Sequence, residues 1–515
     1  MPFWPRRAVE GPHLPRPQAG RGGPMSAGNK AIVIGAGLGG LAIALRLSAR
    51  GWQVTVLEHG PSPGGKMNRW ESQGFRFDTG PSLITMPWVF EDLFATAGAK
   101  LPDHVQLTLV EPLADYAFAD GMRFQVSASL PQWLATLRKL EPRGDERFLR
   151  FMALGAKLFA LSQRTFFRRS PADPPDWASL KALRYMPLRR AWGSYQRTVR
   201  AFFQTAHLRQ MYERFPTYVG SSPRSVPATL TVIPYLEHAF GGWHVGGGLY
   251  EIVLSLSRLL ESRGVTIATG QTVVRIATQA GRACGVETAD GRLHPADVVI
   301  MNGDPSDLPR LLGQANAPGL PEADRSLSGF VMLLGLRRRL DGIAHHTVCF
   351  SADYAREFDD LFVRRRFPDD PTVYVSAPSR TDPTMAPAGC EALFVMANAP
   401  ANDADTWDEP ATAEARRRVF ARLRQSGFPD IQSDIAVSTI WTPRKMADAY
   451  LMPGGAIYGT HSHGWRKAFL RPPNKHRRVG GLYCVGGGTH PGGGTPTVLL
   501  SAKIVSDMIA RHEGR

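Results

Sequence analysis

Hydrophobic residues in this chain fall into short blocks separated by glycine- and proline-rich punctuation. Ala31-Ile32-Val33-Ile34 is a continuous apolar run, the pattern of a parallel strand buried on both faces. It runs through Gly35-Ala36-Gly37-Leu38-Gly39-Gly40 into an Ala/Leu-rich stretch that predicts a helix from Leu41 to Arg50. Val54-Thr55-Val56-Leu57 predicts a second strand, which ends at Glu58. Farther along, Thr272 to Ile276 and Cys284 to Thr288 read as the two arms of a hairpin. Ala296-Asp297-Val298-Val299-Ile300 predicts another strand, closing on Met301-Asn302-Gly303. Near the far end the apolar run Leu482 to Val485 enters a glycine-rich loop, Gly486 to Pro496, before a helix predicted from Val498 to Ala510.

Strand, glycine turn, helix, strand and acid in succession make a dinucleotide-binding unit. Gly35 permits the tight turn, Gly37 lets the backbone approach a pyrophosphate, and Gly40 lets helix and strand pack closely. Leu38 and Gly39 lie in the same turn, where the helix N-terminus presents amide N–H groups and the positive end of its dipole. Glu58, 18 residues after Gly40, is placed to accept hydrogen bonds from ribose hydroxyls. This unit alone leaves NAD and FAD open. Pro63-Gly64-Gly65-Lys66, followed by Phe77-Asp78-Thr79-Gly80-Pro81, points to FAD, because a second glycine pair with a basic residue lies along the more extended dinucleotide. The candidate cofactor residues therefore include Gly64, Gly65, Lys66, Gly80 and Pro81, with Val274 on the hairpin. Gly487, Gly488, Gly494, Thr495 and Pro496 join them from the C-terminal loop, where a helix dipole would favour an electron-rich flavin edge. His490 in that loop is either a proton-transfer group, the candidate catalytic residue, or a loop-shaping one.

Composition narrows the setting. The chain has 515 residues, 43% of them hydrophobic, enough for two or three domains with sizeable cores. Lys and Arg outnumber Asp and Glu by 61 to 45, a net charge of +16. That balance suits an anionic surface, and no zinc-finger spacing or long basic tract supports nucleic acid. The four cysteines are far apart and fit neither a disulfide framework nor a metal cluster, which sets a reducing, cytoplasmic-side location as the expectation. No apolar stretch reaches 18 residues, so no transmembrane helix is expected. Residues 1–24 hold six prolines and four arginines without an apolar core, and read as a disordered extension or an upstream start. Without them the net charge is about +13.

Taken together, the segments resemble the bacterial carotenoid desaturase family, the phytoene-desaturase type within the amine-oxidase-like flavoprotein superfamily. The likeness covers residues 29–511 and rests on Ala31 to Glu58, Gly64-Gly65-Lys66, Gly74 to Pro81 and the C-terminal Gly-Thr-His-Pro-Gly-Gly-Gly-Thr-Pro. Ala344-His345-His346-Thr347-Val348 and Phe469-Leu470-Arg471-Pro472 add to it. Lys66 stands where the family usually has Arg, and Thr495 where it commonly has an aliphatic residue. Phe215 to Pro223 looks closer to desaturases acting late in carotenoid pathways, and the family's proposed central acid has no secure match. The resemblance implies non-covalent FAD, a C40 or C30 polyene in a long apolar tunnel, and loss of two hydrogens per double bond formed. In that scheme hydride passes to the flavin, a base or water takes the neighbouring proton, and a quinone or oxygen accepts the electrons.

The expected architecture is α/β. A Rossmann-like FAD-binding domain, with a mixed or parallel sheet and helices on its faces, is assembled from 25–100, 241–310 and 475–515. Residues 101–240 form an inserted α+β substrate and membrane-associating part, with a helical membrane-facing portion, and 311–474 a substrate-binding sheet. A polyene dissolves only in lipid, so peripheral docking on the cytoplasmic side of the cell membrane is expected. Thr165 to Arg169, Leu183 to Trp192 and Arg197 to Phe203, where basic residues interleave with aromatic ones, are the candidate surface. Three alternatives stay open: a carotenoid end-group oxidase or oxygenase, another amine-oxidase-like flavoenzyme, and a non-enzymatic isoprenoid-binding protein. The oligomeric state is not set by sequence.

Overall fold

The computed structural model describes residues 29–513, apart from 172, 174–176, 178–180, 182–183, 185–192, 315 and 404–406. The first apolar block forms strand β1 (Lys30–Ile34), and the glycine turn leads into helix α1 (Leu38–Ser48) and strand β2 (Gln53–Leu57). The helix starts three residues earlier than its apolar pattern suggests. Gly39 and Gly40 are poor helix formers, but they are admitted to the first turn because close packing there leaves no room for a side chain.

β1 lies at the centre of a five-stranded parallel sheet, in the order Leu482–Cys484, Val298–Met301, β1, β2, Thr266–Ala268. One face carries Ala31, Val33, Val54, Val56, Val298 and Ile300, packed on α1 and on the helices Tyr250–Ser262 and Thr495–His512. The other carries Ile32, Leu57, Val299, Met301, Leu482 and Cys484. These pack on a three-stranded antiparallel sheet, Val273–Gln279, Arg282–Thr288 and Leu293–Pro295, and on the short helix Leu308–Leu311. Burial on both sides is why these strands are apolar throughout rather than alternating.

A seven-stranded sheet forms the second half. Its order is Ile435–Trp441, Ser328–Leu336, Glu391–Ala399, Val373–Ser376, His346–Cys349, Ala114–Ala117, Arg123–Val126. Segments 101–240 and 311–474 therefore share one sheet, joined by the parallel pairing of Val348 with Tyr116. At that end Tyr116, Phe124, Val348 and Phe350 pack against helices of 130–213. In the middle all nine residues of Ser328–Leu336 are buried, with Phe330, Met332 and Leu334 on one side. Val331 and Leu333 face the other way, against Phe75 and Phe77 of the hairpin Arg69–Ser72/Phe75–Asp78.

That hairpin leads directly into Gly80 and Pro81, so its seating sets where those residues lie. It is admitted by Gly335, where an added Cβ would stand 2.8 Å from the Phe75 ring and 2.7 Å from Val437. Gly335→Val is expected to lower stability by about 1–3 kcal/mol through overpacking and to raise amide exchange across residues 69–81. Thermal unfolding and hydrogen exchange measure both, and unchanged exchange in the hairpin would contradict this seating.

Candidate functional site

The turn between β1 and α1 is fixed by backbone contacts that no side chain would survive. Gly35 has φ +93° and donates its N–H to the Leu57 carbonyl at 2.7 Å. A Cβ on Gly40 would lie 2.0 Å from the Gly35 carbonyl oxygen. α1 begins at Gly37 with no side-chain cap and no acid in its first turn, so the amides around Leu38 and Gly39 carry the positive end of the helix toward whatever lies before them.

The second glycine pair lies against the first. Gly64 donates to the Ala36 carbonyl at 2.9 Å, and a Cβ on Gly65 would come within 3.2 Å of the Gly37 Cα. Glu58 braces the same turn. Its carboxylate accepts the Ala36 N–H at 2.6 Å and the Gly60 N–H at 2.8 Å, and its Oε1 is 2.9 Å from His59 Nδ1. Burial alone would raise the Glu58 pKa, but these hydrogen bonds outweigh it and hold the carboxyl below its ordinary value. Two oxygens with roughly four lone-pair directions leave it capacity for further donors. Gly80 touches the segment too, since a Cβ there would stand 1.9 Å from the Lys66 carbonyl oxygen.

The C-terminal loop meets this turn through one side chain. Asn302, just beyond the strand Val298–Met301, donates from Nδ2 to the Gly35 carbonyl at 3.2 Å. A Cβ on Gly39 would lie 2.5 Å from its Oδ1 and 3.2 Å from the Gly486 Cα, and a Cβ on Gly486 would lie 2.9 Å from the same Oδ1. The residues after it, Gly487 and Gly488, curve past Gly493 and Pro305. Gly494, φ +114°, starts the C-terminal helix, whose first turn holds Thr495 and Pro496, again with no side-chain cap and no acid. Two uncapped helix starts and the glycine-lined backbone between them suit an extended ligand with an anionic middle.

Electrostatics agree. Burial pushes the Lys66 pKa down to about 8, with Asp304 pulling it back up, and Nζ donates to the Ile457 carbonyl at 2.5 Å. Arg471 is likewise pushed down by burial, to about 10, with Asp304 again opposing. Its guanidinium donates to the carbonyls of Gly487 and Thr460 and to Ser462 Oγ. Two buried cations thus share one nearby carboxylate, and the local field favours an incoming anion.

Not every candidate joins this cluster. Val274 stands apart on the three-stranded sheet, 39% exposed, at a bulge where the register with the opposite strand skips it. His490 is fully buried. Its Nε2 donates to the Phe166 carbonyl at 2.7 Å and its ring packs edge-on to Phe166, with centroids 4.5 Å apart. Burial pushes its pKa down to about 4, and the bond to Phe166 ties the ring to the segment beside the loop. Asn302 and Arg471 carry more of the site than sequence reasoning assigned them. The available signals were an Asn-Gly at a strand end and an Arg-Pro ahead of the last strand.

The segments expected to meet a membrane divide. Residues 183 and 185–192 lie outside the described residues. The stretch 197–203 puts Val199, Phe202 and Phe203 into the core, where Phe203 stacks on Tyr212, so it presents no apolar face outward. Phe166 and Phe167 are half-buried, and Phe166 packs against Phe469. Large exposed apolar residues elsewhere include Val363, Trp465 and Leu470. Among the described residues no helix is long and apolar enough to cross a membrane.

Comparison with known proteins agrees with this geometry. The chain is 36% identical to the 4,4'-diapolycopene oxygenase of a Methylomonas species, over 93% of this chain and 98% of that protein. It is 35% identical to the zeta-carotene-forming phytoene desaturase of Myxococcus xanthus, over 94% of each. It is 34% identical to the hydroxyneurosporene desaturase of Cereibacter sphaeroides, over 93% of this chain and 97% of that one. Among solved structures, an oxidoreductase from Methanosarcina mazei superposes with TM-score 0.61 at 20% identity, covering 93% of this chain and all of that one. Putrescine oxidase bound to putrescine superposes with TM-score 0.61 at 14% identity, covering 94% of this chain and 99% of its own, which shows a shared fold. With the family model for flavin-containing amine oxidoreductases matching residues 38–510, the chain belongs to that family.

Proposed function

We propose that this protein is an FAD-dependent carotenoid desaturase. The observation that carries the reading is the junction of the two glycine loops through Asn302, within a chain whose relatives act on carotenoids. FAD rather than a shorter flavin is supported by Glu58, an acid directly after β2 that keeps lone pairs free for ribose hydroxyls while it braces the turn. The amides of Leu38 and Gly39 and the backbone of Gly37 would hold the pyrophosphate. Gly64, Gly65, Gly80 and Pro81 would flank the middle of the cofactor. Gly487, Gly488 and the start of the C-terminal helix at Gly494, Thr495 and Pro496 would meet the ring end, and the backbone at Val274 the adenine.

A bound FAD would supply a hydride acceptor for an allylic C–H, with the proton of the neighbouring carbon passing to a base or water and a quinone or dioxygen as the final electron acceptor. The protein's own contribution is placement. A hydrocarbon offers no group to hydrogen-bond, so its reacting carbons must be set by shape. Lys66 and Arg471 would supply positive charge that favours the extra electron density of a reduced flavin. A substrate of this kind must be drawn from lipid, and we propose peripheral docking on a membrane. Val363, Trp465 and Leu470 are 73%, 55% and 55% exposed. They neighbour Phe362, which meets the His463 ring at 4.8 Å, and Phe469, which meets Phe166 at 5.7 Å. These three exposed side chains are the candidate docking residues.

Purified protein is expected to show a flavin spectrum and to release FAD, not FMN, on acid denaturation. Co-expressed with a pathway making phytoene or neurosporene, it is expected to give a product lacking two hydrogens per new double bond, with red-shifted absorbance. A product that gains oxygen instead would favour the end-group oxygenase reading. Protein free of flavin would favour the isoprenoid-binding one.

The Lys66 ammonium is charged below about 8 and neutral above it, so FAD affinity should fall as pH rises through that value. Lys66→Arg is expected to flatten the dependence, because guanidinium stays charged. Identical pH profiles for the two proteins, from flavin fluorescence titration, would remove Lys66 from the cofactor site.

The full-length protein should co-sediment with anionic phospholipid vesicles at low salt, and Trp465→Ser with Leu470→Ser should leave it in the supernatant. Wild-type protein that stays in the supernatant at every salt concentration would end the membrane reading.

A further inference from the structure

Three imidazoles lie together beside the strand His346–Cys349 of the seven-stranded sheet. His244 is on the strand Trp243–Val245, and His345 and His346 stand at the start of the strand His346–Cys349. They are 1%, 3% and 2% exposed. The ring centroids of His244 and His345 are 5.2 Å apart, and those of His345 and His346 4.3 Å. Each ring has one nitrogen engaged. His244 Nε2 is 3.2 Å from Asp382 Oδ2, His345 Nδ1 is 2.6 Å from Thr381 Oγ1, and His346 Nδ1 is 2.7 Å from the Tyr374 hydroxyl. The opposite nitrogens, Nδ1 of His244 and Nε2 of His345 and His346, are buried without a partner.

The cluster reaches the cofactor segment. Tyr374 continues through its hydroxyl to Ser82 Oγ at 2.6 Å, and Ser82 directly follows Pro81. Asp382, which faces His244, also accepts the Gly247 N–H at 2.7 Å, in the loop ahead of the helix Tyr250–Ser262. Burial keeps the histidines neutral. The His346 pKa is pushed down to about 3, with Arg214 and His244 adding to the effect, and that of His345 falls well below its ordinary value. Neutral imidazole has one donor and one acceptor nitrogen, so each open nitrogen is a hydrogen-bonding site in either tautomer.

Three open nitrogens in one buried cluster favour a polar partner, since an unpaired buried polar atom destabilises the fold. Among the described residues no group of histidines, cysteines and acids is arranged to hold a metal. Such nitrogens suit a polar group that arrives with the substrate. A hydroxyl both donates and accepts, so it satisfies Nε2 whichever tautomer is present. Resting on the desaturase reading, we propose that His345 and His346 recognise a hydroxyl at the end of the polyene, so that the preferred substrate is a hydroxylated carotenoid. Tyr374 and Ser82 are positioning residues that hold the His346 ring. A hydrocarbon end entering the same place leaves both nitrogens unpaired, which is how a hydrogen-bonding site rejects an analogue lacking the hydroxyl.

The test uses the full-length protein with FAD in lipid vesicles, given hydroxyneurosporene or its hydrocarbon parent neurosporene below saturation. Wild-type protein is expected to convert the hydroxylated polyene at least about tenfold faster. His345→Leu with His346→Leu should bring the ratio close to one, and His346→Gln, which keeps a hydrogen-bonding amide, should restore part of the preference over His346→Leu. The flavin absorbance of each variant reports its folding, and the wild-type ratio stands without any variant. Equal wild-type rates on the two polyenes would overturn this inference and leave the desaturase reading intact. Variants that slow both substrates equally would also overturn it, by showing a purely structural role. Conversion of neither polyene would overturn both readings.

Discussion

Backbone must approach backbone at one point in this protein, and most of the architecture serves that approach. The turn after β1 and the loop before the C-terminal helix come so close that neither Gly39 nor Gly486 has room for a Cβ beside Asn302. Asn302 separates and joins them at once, with its amide nitrogen on the Gly35 carbonyl and its oxygen against both glycines. It can do so because its strand lies directly beside β1 in the parallel sheet, with Ile34 opposite Met301. The junction therefore depends on strand register, and strand register depends on two buried faces filled by Val, Ile and Leu. Aliphatic burial far from any ligand is what holds two helix dipoles on a common target.

Charge is distributed to match. Lys66 and Arg471 reach the site from opposite ends of the chain, and both bond to carbonyl oxygens rather than to an acid of their own. A buried cation without a dedicated counter-ion is costly in the free protein and becomes favourable when an anion arrives. The interior of the second half follows a similar logic with neutral groups. Its imidazoles and Tyr374 bond to one another and to nearby Asp, Thr and Ser side chains, and present further nitrogens inward. One site is prepared for charge and the other for a dipole, and Ser82, one residue past Pro81, ties them together.

The βαβ unit was legible from sequence because each of its constraints is local. A buried strand must be apolar, a tight turn must be glycine, and an acid at a strand end follows within a short span. The C-terminal loop was legible as a glycine-rich strand-to-helix turn for the same reason. Residues 197–203 were not, since Val199, Phe202 and Phe203 alternate with arginines in the same way whether their apolar side meets lipid or a neighbouring aromatic such as Tyr212. Asn302 and Arg471 escaped notice as site residues because their importance lies in partners 267 and 16 positions away. The three-stranded sheet covering one face of the parallel sheet is a further tertiary fact, since its hairpin pattern does not say what it packs on.

The parallel sheet is completed by its outermost strand, Leu482–Cys484, which the chain delivers only near its end. During synthesis β1, α1 and β2 can form early, but the position beside Val298–Met301 stays open until nearly the whole protein has left the ribosome. The cofactor cradle is thus the last part of the molecule to close. Cofactor capture then becomes a late step of maturation, and a chain clipped before that strand would lack one wall of the cradle.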